Sequence, residues 1–481
     1  MTFSIMVPAT IVDAWLDATN VPETDYTAWS AATAYVVGNF AMVAGTTHHN
    51  YKCIQAHTNF PPTTAANIGV YWTDAGATNT WKPFDKIISS LTTKSGDIAY
   101  RLGIQSALNT VAIFGATAGS AQVILYDTGV SRVNLATYSD EFDNAAHVAT
   151  RCSVTANLYQ DPLGSYQADA LFEGATLNTH FLTLSTVAFV SGTQYTISIY
   201  AKQRAGLGDR DIVLELPAGG FTTVPTATFT MSTGTTAGTT GGATQAITAA
   251  DAYGYYRLSI TATANASGTA SPVLRFSLPG TGLSYTGNSV AGFQIYGYQA
   301  NTGAIAAYQW IRGAAQWGAI AYNSIKTLAS VVNGAQTEAI FTGIPGDVGD
   351  YMAIALYAVG GTAQVGEITM GLTYTFGFGD VTGCNIGYRD YSSQAYDTYG
   401  NAIIVRRAYS KTADYTVAID KVSASQAHNF LTFLRSVPVV WYDSEAQPSW
   451  GTSVFGFVKE FSIAITGADQ IFMSVRVDGI I

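Results

Sequence analysis

The sequence predicts a mainly β protein of several domains, with β-sandwich and jelly-roll architecture and a C-terminal α+β domain that contains one helix. Three observations support this prediction. Asp, Glu, Lys and Arg make up only 11% of the 481 residues, against roughly 25% in ordinary globular domains. Short runs rich in Thr, Val, Ile, Tyr and Phe alternate with Gly and Asn turns through most of the chain, as expected of pleated, half-buried strands. A single convincing helical pattern lies near the C-terminus.

At one domain per roughly 150 residues, the length predicts about three domains. Changes in sequence texture, together with the resemblances stated below, divide the chain more finely. The predicted parts are an N-terminal arm or short helix (1–23), a small β domain (24–86), a discontinuous β-sandwich platform (87–135 with 303–375), a jelly-roll domain inserted into that platform (136–302), and a C-terminal α+β domain (376–481).

The N-terminal parts differ in texture. Residues 11–16 are mostly apolar and predict a short helix or an arm that docks on a neighbour. Residues 24–86 form a compact aromatic module, in which short alternating runs and Gly or Asn turns predict several short strands.

The strands of the platform and of the jelly roll are predicted from short β-type runs separated by turn signals. In the platform the clearest strands are 110–114, 121–126, 337–341, 351–358 and 365–370. In the jelly roll they are 194–200, 212–216, 255–261 and 290–296. The Thr/Gly-rich residues 232–244 predict an exposed loop.

The C-terminal domain contains the helical pattern, which we predict to run from Ser423 to Arg435. Four apolar residues there follow the i, i+3, i+4, i+7 spacing of one helical face, and they are Ala427, Phe430, Leu431 and Leu434. Ser423 or Ser425 is the expected N-cap. Strands are predicted at 437–442, 454–465 and 470–477.

The net charge, 22 − 32 = −10, argues against nucleic acid as a partner, because phosphate binding needs clustered Lys and Arg. Three distant cysteines, Cys53, Cys152 and Cys384, fit neither a metal site nor a disulfide framework and are expected to be free thiols. The sequence starts without the charged segment of a signal peptide and has no apolar run long enough for a bilayer. We therefore expect synthesis in the cytoplasm, no membrane insertion and no cofactor.

The sequence contains none of the catalytic motifs that would predict an enzyme. Asp140, Glu141 and Asp143 suggest half of a glycosidase carboxylate pair or a Ca²⁺ site, but turn chemistry before a strand is the favoured interpretation. His48 and His49 with His57 suggest a metal site, and the favoured interpretation is a polar hairpin turn and a core histidine with one satisfied nitrogen.

The candidate sugar-binding residues are aromatic, because a pyranose face packs well against a π-surface. In the small module they are Trp29, Tyr35 and Trp72. For Tyr35 and Trp72 the module's own core is the favoured interpretation, and for Trp29 both roles stay open. In the jelly roll they are Tyr253 and Tyr255, since these and Tyr256 cannot all point inward from one strand.

Residues 24–86 resemble the small chitin-binding-type carbohydrate-binding module (the 5/12-like type), which also occurs on phage tail proteins. The matching residues are Trp29, Tyr35, Gly38, Tyr51, Cys53, His57 and Trp72. Residues 136–302 resemble carbohydrate-binding-like jelly rolls, through the runs 138–144, 192–196, 200–202 and 254–264.

The flanks, residues 81–135 and 303–481, are similar to one type of bacteriophage tail or baseplate protein. The runs that carry the similarity are 81–85, 123–127, 366–371, 388–392, 399–401, 407–411, 438–441, 455–462 and 478–480. The resemblance implies that the chain is continuous through the platform and that the jelly roll is inserted into one of its loops.

Together the resemblances imply a virion protein: a structural subunit of a phage tail tip or baseplate. Such a subunit would assemble symmetrically with copies of itself and other tail proteins and present carbohydrate-binding-like modules to host surface glycans. Two alternatives stay open. One is a tail-associated glycan depolymerase or esterase, and the other is a purely structural scaffold with no ligand.

Overall fold

The computed structural model describes residues 3–164, 167–204, 206, 208–312, 316–328, 337–358, 361–376, 378–396, 398–399, 401–443, 452–465 and 470–480. Within these ranges the protein is mainly β, in many antiparallel sheets, with one α-helix near the C-terminus. This confirms the predicted fold class.

The chain divides into two compact units. The first unit consists of residues 1–125 and 324–481, and the second consists of residues 126–323. The second unit therefore interrupts the first along the chain. It includes the range predicted as an inserted jelly roll, and the finer division into five parts stays a prediction.

The strands of the first segment are β1 (Phe3–Pro8), β2 (Leu16–Thr19), β3 (Ala34–Tyr35), β4 (Phe40–Val43), β5 (His49–Cys53), β6 (His57–Thr58), β7 (Trp72–Ala77), β8 (Thr92–Ser95), β9 (Ile98–Gly103), β10 (Leu108–Ala116) and β11 (Ser120–Asp127). Single 3₁₀ turns lie at Asp13–Trp15, Ala65–Asn67 and Lys82–Phe84.

The strands of the second unit are β12 (Val148–Thr150), β13 (Cys152–Tyr159), β14 (Ala168–Glu173), β15 (Leu177–Thr179), β16 (Phe181–Thr183), β17 (Val187–Phe189), β18 (Gln194–Gln203), β19 (Asp211–Glu215), β20 (Thr226–Thr230), β21 (Thr235–Thr239), β22 (Thr244–Ile247), β23 (Tyr256–Thr263), β24 (Gly268–Ala270), β25 (Val273–Ser277), β26 (Ser284–Thr286), β27 (Gly292–Thr302) and β28 (Gln309–Arg312).

The chain returns to the first unit through β29 (Gln316–Thr327) and continues with β30 (Thr337–Gly346), β31 (Tyr351–Tyr357), β32 (Thr362–Val365), β33 (Glu367–Phe376), β34 (Phe378–Asp390), β35 (Ser393–Tyr396), β36 (Ala402–Val405), β37 (Tyr409–Asp420), β38 (Val439–Asp443), β39 (Val454–Ala464) and β40 (Gln470–Gly479). A 3₁₀ turn (Lys421–Ser423) leads into helix α1 (Ala424–Phe433) between β37 and β38.

The main sheet of the first unit has the strand order β30-β10-β33-β1-β38-β39-β40-β37-β34. Strand β1 lies in its middle, because Phe3 pairs with Phe376 of β33 and also with Asp443 of β38. The prediction of an arm or short helix for residues 1–23 is therefore wrong. The predicted helical stretch contains only a 3₁₀ turn, Asp13–Trp15, since apolar spacing this short does not distinguish a helix from strands.

Side chains alternate across β1 into two cores. Phe3 and Ile5 belong to the core that contains the buried face of helix α1, formed by Ala427, Leu431 and Leu434. The predicted helix is thus confirmed, although Ser423 makes no capping hydrogen bond through its side chain. On the opposite side, Met6 joins a smaller core with Ala112, Phe114, Val440, Tyr442 and Phe455.

The second unit is a β-sandwich of two antiparallel sheets, in the orders β12-β16-β25-β19-β20-β21 and β13-β14-β27-β18-β23-β22. One core lies between them and takes side chains from both sheets, for example Ile212 and Phe276 from the first and Ile199 and Ile260 from the second. The predicted exposed loop 232–244 is partly wrong, since it contains strand β21, although every residue of that strand is exposed.

The aromatic module lies in the first unit as two small sheets, β3-β6 and β4-β5-β7. Its core consists of Tyr35, Ala41, Cys53 and Trp72. The small module has few other large residues to bury, so these aromatic rings supply most of its apolar interior.

Candidate functional site

Two of the three sugar-binding candidates in the aromatic module belong to its core. Tyr35 is 6% exposed and Trp72 is fully buried, and their rings meet edge to face with centroids 4.9 Å apart. Trp72 also donates from Nε1 to the Phe60 carbonyl at 2.7 Å. Because neither ring offers an open face, their assignment to sugar stacking is corrected to a core role. Trp29 is only partly buried against the same core, and its role in binding stays a prediction.

The histidines of the module form no metal cluster. His48 contacts Glu23 at 2.8 Å and Asp13 at 3.3 Å, and His49 contacts Asp74 at 3.0 Å. His49 lies in β5, so the predicted turn comes before it. The rest of the described chain also contains no group of three or more His, Cys, Asp or Glu side chains suited to a metal ion.

His57 is buried, as predicted, but neither of its ring nitrogens has a hydrogen-bond partner. Its ring packs instead against Trp72 and Tyr71 at centroid distances of 4.8 and 5.2 Å. The predicted single satisfied nitrogen is therefore wrong. Burial lowers the pKa of His57, so this histidine acts as a neutral aromatic residue of the core.

The two jelly-roll candidates differ in exposure. Tyr255 is 1% exposed and donates its hydroxyl to the Gln160 carbonyl and to Gln294, so its assignment to sugar stacking is also corrected to a core role. Tyr253 is partly buried in the same aromatic cluster. Its carbonyl accepts from the Lys202 ammonium at 2.8 Å, and its role in binding stays a prediction.

Other tyrosines line a cavity of about 300 Å³ in the second unit. Tyr200, Tyr296 and Tyr308 form one wall, with centroid distances of 5.4 to 6.3 Å between the three rings. Pro162 and Leu163 also line the cavity. The cavity has the aromatic and apolar character of small-molecule sites and lies at the lower end of their usual volume range.

Strand alternation in the sequence contains a signal for these tyrosines. Ile197 and Ile199 of β18 point into the sandwich core, so Tyr200 must point to the other face. Its proximity to Tyr296 depends on the register between β18 and β27. Sequence alone does not give that register, which is why the cavity was not predicted.

The acidic cluster of the second unit is spread over different depths. Asp140 is buried, Glu141 is half-buried and contacts Arg312 at 3.2 Å, and Asp143 is exposed. None of the three carboxylates lines the tyrosine cavity. This distribution supports the structural interpretation of the cluster over a shared catalytic centre.

The most exposed feature of the first unit is the hairpin formed by β35 and β36, which we call the arm. Every residue of both strands is exposed, and the strands pair only with each other among the described strands. Large apolar side chains are included: Tyr396 is 75%, Ile404 65% and Ile403 51% exposed. A two-stranded hairpin without further packing is at best marginally stable in water.

A groove of about 450 Å³ lies in the first unit beside the base of the arm. Phe114 and Phe455 form part of its lining, with stacked rings 5.8 Å apart. Tyr388 and Tyr409 lie at its rim, are 73% and 62% exposed, and meet edge to face at 6.2 Å. The groove therefore combines an apolar floor with a solvent-exposed aromatic rim, a combination that is typical of interaction sites.

The groove also contains an ion pair. Lys411 contacts Glu338 at 3.2 Å and donates to the Ser453 carbonyl at 2.7 Å. Glu338 lies on β30 at one edge of the main sheet, and Lys411 lies on β37 next to the other edge. The two ends of the sheet therefore approach each other across this groove.

Comparison with known proteins gives no identification, since neither protein-family models nor curated proteins match this chain. The described part of the chain contains no helix whose length and hydrophobicity suit a membrane span.

Proposed function

We propose that this chain is a structural subunit of a bacteriophage tail tip or baseplate that assembles with copies of itself. The observation that supports this best is the arm, whose two strands are exposed over their whole length. At about 25 cal/mol per Å² of apolar area, leaving Tyr396, Ile403 and Ile404 in water is costly. Assembly removes that cost, and symmetric assembly is the usual form for soluble oligomers.

The low charge content supports the same proposal. Only 11% of the residues in the chain are charged. So low a content favours association over the solubility of a free monomer. The assignment to a phage tail or baseplate comes from the sequence resemblance of the flanks. Self-assembly and a β-rich fold are consistent with a virion subunit of that type.

The test is the mass of the full-length protein in solution, measured by light scattering, with electron microscopy of the product. We expect a closed oligomer from the native chain and a shift to monomer for the double variant Tyr396→Ser, Ile404→Ser. Leu177→Ser is the matched control, because Leu177 is 71% exposed in the second unit and lies outside the arm.

A native chain that stays monomeric at all accessible concentrations would contradict the assembly proposal. The virion assignment has its own test, cryo-electron microscopy of the purified phage particle, where the chain should form a ring at the tail end. Absence of the chain from the particle would contradict it.

A second function, attachment to host glycans, is favoured by the tyrosine cavity of the second unit. Tyr200 and Tyr308, which are only partly buried, offer aromatic surface to a small apolar or saccharide ligand, and many copies on one particle would strengthen a weak contact. A glycan array with the native chain and Tyr308→Ala tests this. Equal signals from the two proteins would count against the cavity as the binding site.

A further inference from the structure

The main sheet of the first unit ends in two edge strands that approach each other without pairing. In the described part of the chain, β30 pairs with β10 and β34 pairs with β37, and each has no second neighbour. The groove described above lies between these ends, because its lining includes Glu338 of β30 and Tyr388 of β34. Unpaired edge strands present open N–H and C=O groups that can accept another strand.

We propose that this groove receives the arm of a second copy of the chain, which lays an extended strand against the open edge and its aliphatic side chains on the Phe114–Phe455 floor. The inference rests on the proposed function, since it names the partner and the surface for self-assembly. Strand addition at an open edge is a general mode of peptide recognition, in which backbone hydrogen bonds give affinity and side-chain pockets give specificity.

The floor of the groove is continuous with a hydrophobic core. Phe114 and Phe455 belong to the small core on the opposite side of the main sheet from helix α1. They are almost fully buried, yet they also line an open groove of about 450 Å³. Aliphatic side chains placed there would extend an existing apolar core, which is the most favourable place to bury them.

The arm has the side chains for this role. The register pairs Ala395 with Ile403 and Gln394 with Ile404, and successive residues of a strand point to opposite faces. Ile403 and Val405 therefore lie on one face, and Ile404 and Tyr396 lie on the other. Either face of the arm can bury branched aliphatic or aromatic surface against a partner.

We take the partner to be a second copy, because every residue of both arm strands is exposed in this structure, so the arm does not occupy the groove of its own chain. Its base is fixed by the pairing of Asp390 with Tyr409 at the end of β34 and β37. Strand β35 begins at Ser393, so the arm starts next to the rim residues Tyr388 and Tyr409.

The contact would be heterologous, since the arm of one copy meets the groove of the next. Such contacts close into rings when the rotation between copies is suitable. The proposal thus accounts for a ring-forming subunit without requiring any contribution from the second unit.

Photo-crosslinking of the assembled full-length protein tests the inference. We would replace Ile404 with p-benzoylphenylalanine, mix ¹⁵N-labelled and unlabelled chains before assembly, irradiate the oligomer and map the linked peptides by mass spectrometry. We expect linkages between differently labelled chains at residues 87–90, 113–116 or 453–457. The same probe at Leu177, exposed in the second unit, is the control and should not label these segments.

The outcomes separate the inference from the proposed function. An oligomer whose linkages from Ile404 fall elsewhere, or only within one chain, would overturn the groove as the docking site and leave self-assembly intact. A protein that never forms an oligomer would overturn both. As a second readout, Ser89→Trp should fill the groove and weaken assembly by about tenfold or more, whereas Ser95→Trp, at an exposed position at the end of β8 and outside the groove lining, should leave assembly unchanged.

Discussion

At the scale of single residues, the second unit contains a buried ion pair. Arg210 and Glu173 are 7% and 0% exposed and meet through two contacts of 2.6 and 2.7 Å. Glu173 also accepts from the Tyr285 hydroxyl at 2.7 Å and from the Asn288 amide at 2.8 Å. Burial raises the pKa of Glu173, but these donors outweigh it and hold the pKa below its ordinary value.

Arg210→Met should therefore destabilise the second unit by about 3–5 kcal/mol, because it leaves the Glu173 carboxylate buried without its cation. The matched control is Arg275→Met, since Arg275 and Glu215 are both 20% exposed and also form two contacts. Its cost should be about 1 kcal/mol or less. Urea unfolding measures both, and equal losses would show that burial does not set the strength of the Arg210 pair.

Asp169 predicts a dependence of stability on pH. It is 1% exposed, and burial raises its pKa to about 7 although the amides of Phe142 and Asn157 donate to it. Its unfolded-state pKa is about 3.9, so between these two values the native state holds a proton that the unfolded state has released. The contribution of Asp169 to stability is therefore complete below about pH 4 and decreases as the pH rises to about 7.

The measurement is the difference in unfolding free energy between the native protein and Asp169→Asn from pH 4 to pH 7. The native protein should lose stability relative to the variant by up to about 1.4 kcal/mol per pH unit. A difference that stays constant over this range would mean that Asp169 is ionised in the folded protein.

At the scale of elements, sequence patterns predicted the strands and the helix well. The predicted strand at 121–126 lies within β11, and the predicted helix contains α1. The role of the aromatic residues was harder to predict, because the same rings can stack on a sugar or pack against each other in a core. Trp72 pairs with Cys53, and the buried Tyr255 contacts Gln160 and Gln294. Local composition does not contain these contacts.

Strand β1 is the clearest failure of local reasoning. The run Phe3–Pro8 is short and carries no turn signal that would assign it to a sheet. Its partners, β33 and β38, lie in the distant C-terminal part of the chain. Position in the sequence suggested an arm, and pairing across the whole first unit makes the run a central strand.

Deletion of residues 1–8 should therefore abolish folding of the first unit. The deletion removes the strand between β33 and β38 and takes Phe3, Ile5 and Met6 out of two cores. The solubility and circular dichroism of the truncated chain provide the measurement. A soluble truncated protein with the native β-sheet spectrum would restore the arm interpretation.

At the scale of the whole molecule, the chain leaves and re-enters the first unit through neighbouring strands, β11 and β29. At one end Leu328 donates to the Gly119 carbonyl, and at the other Gly318 packs against Tyr126. The two strands therefore run antiparallel, and their ends at Asp127 and Gln316 lie where a hairpin turn would join them.

Replacing residues 128–315 by Asn-Gly should consequently leave a soluble first unit, because insertions between close strand ends can be removed without disturbing the parent sheet. Thermal unfolding followed by circular dichroism would show a cooperative β-sheet transition. Insoluble product from this deletion, with the native chain soluble, would show that the first unit depends on the second.

The central position of β1 also has a consequence for biosynthesis. The ribosome makes β1 long before it makes β33 and β38, and at about 5–20 residues per second the wait is on the order of tens of seconds. During that time the strands of the second unit, which are contiguous in the chain, can already pair with each other. The first unit can close its main sheet only after its last strands have emerged, so its nascent apolar strands are the part of this protein that most needs a chaperone.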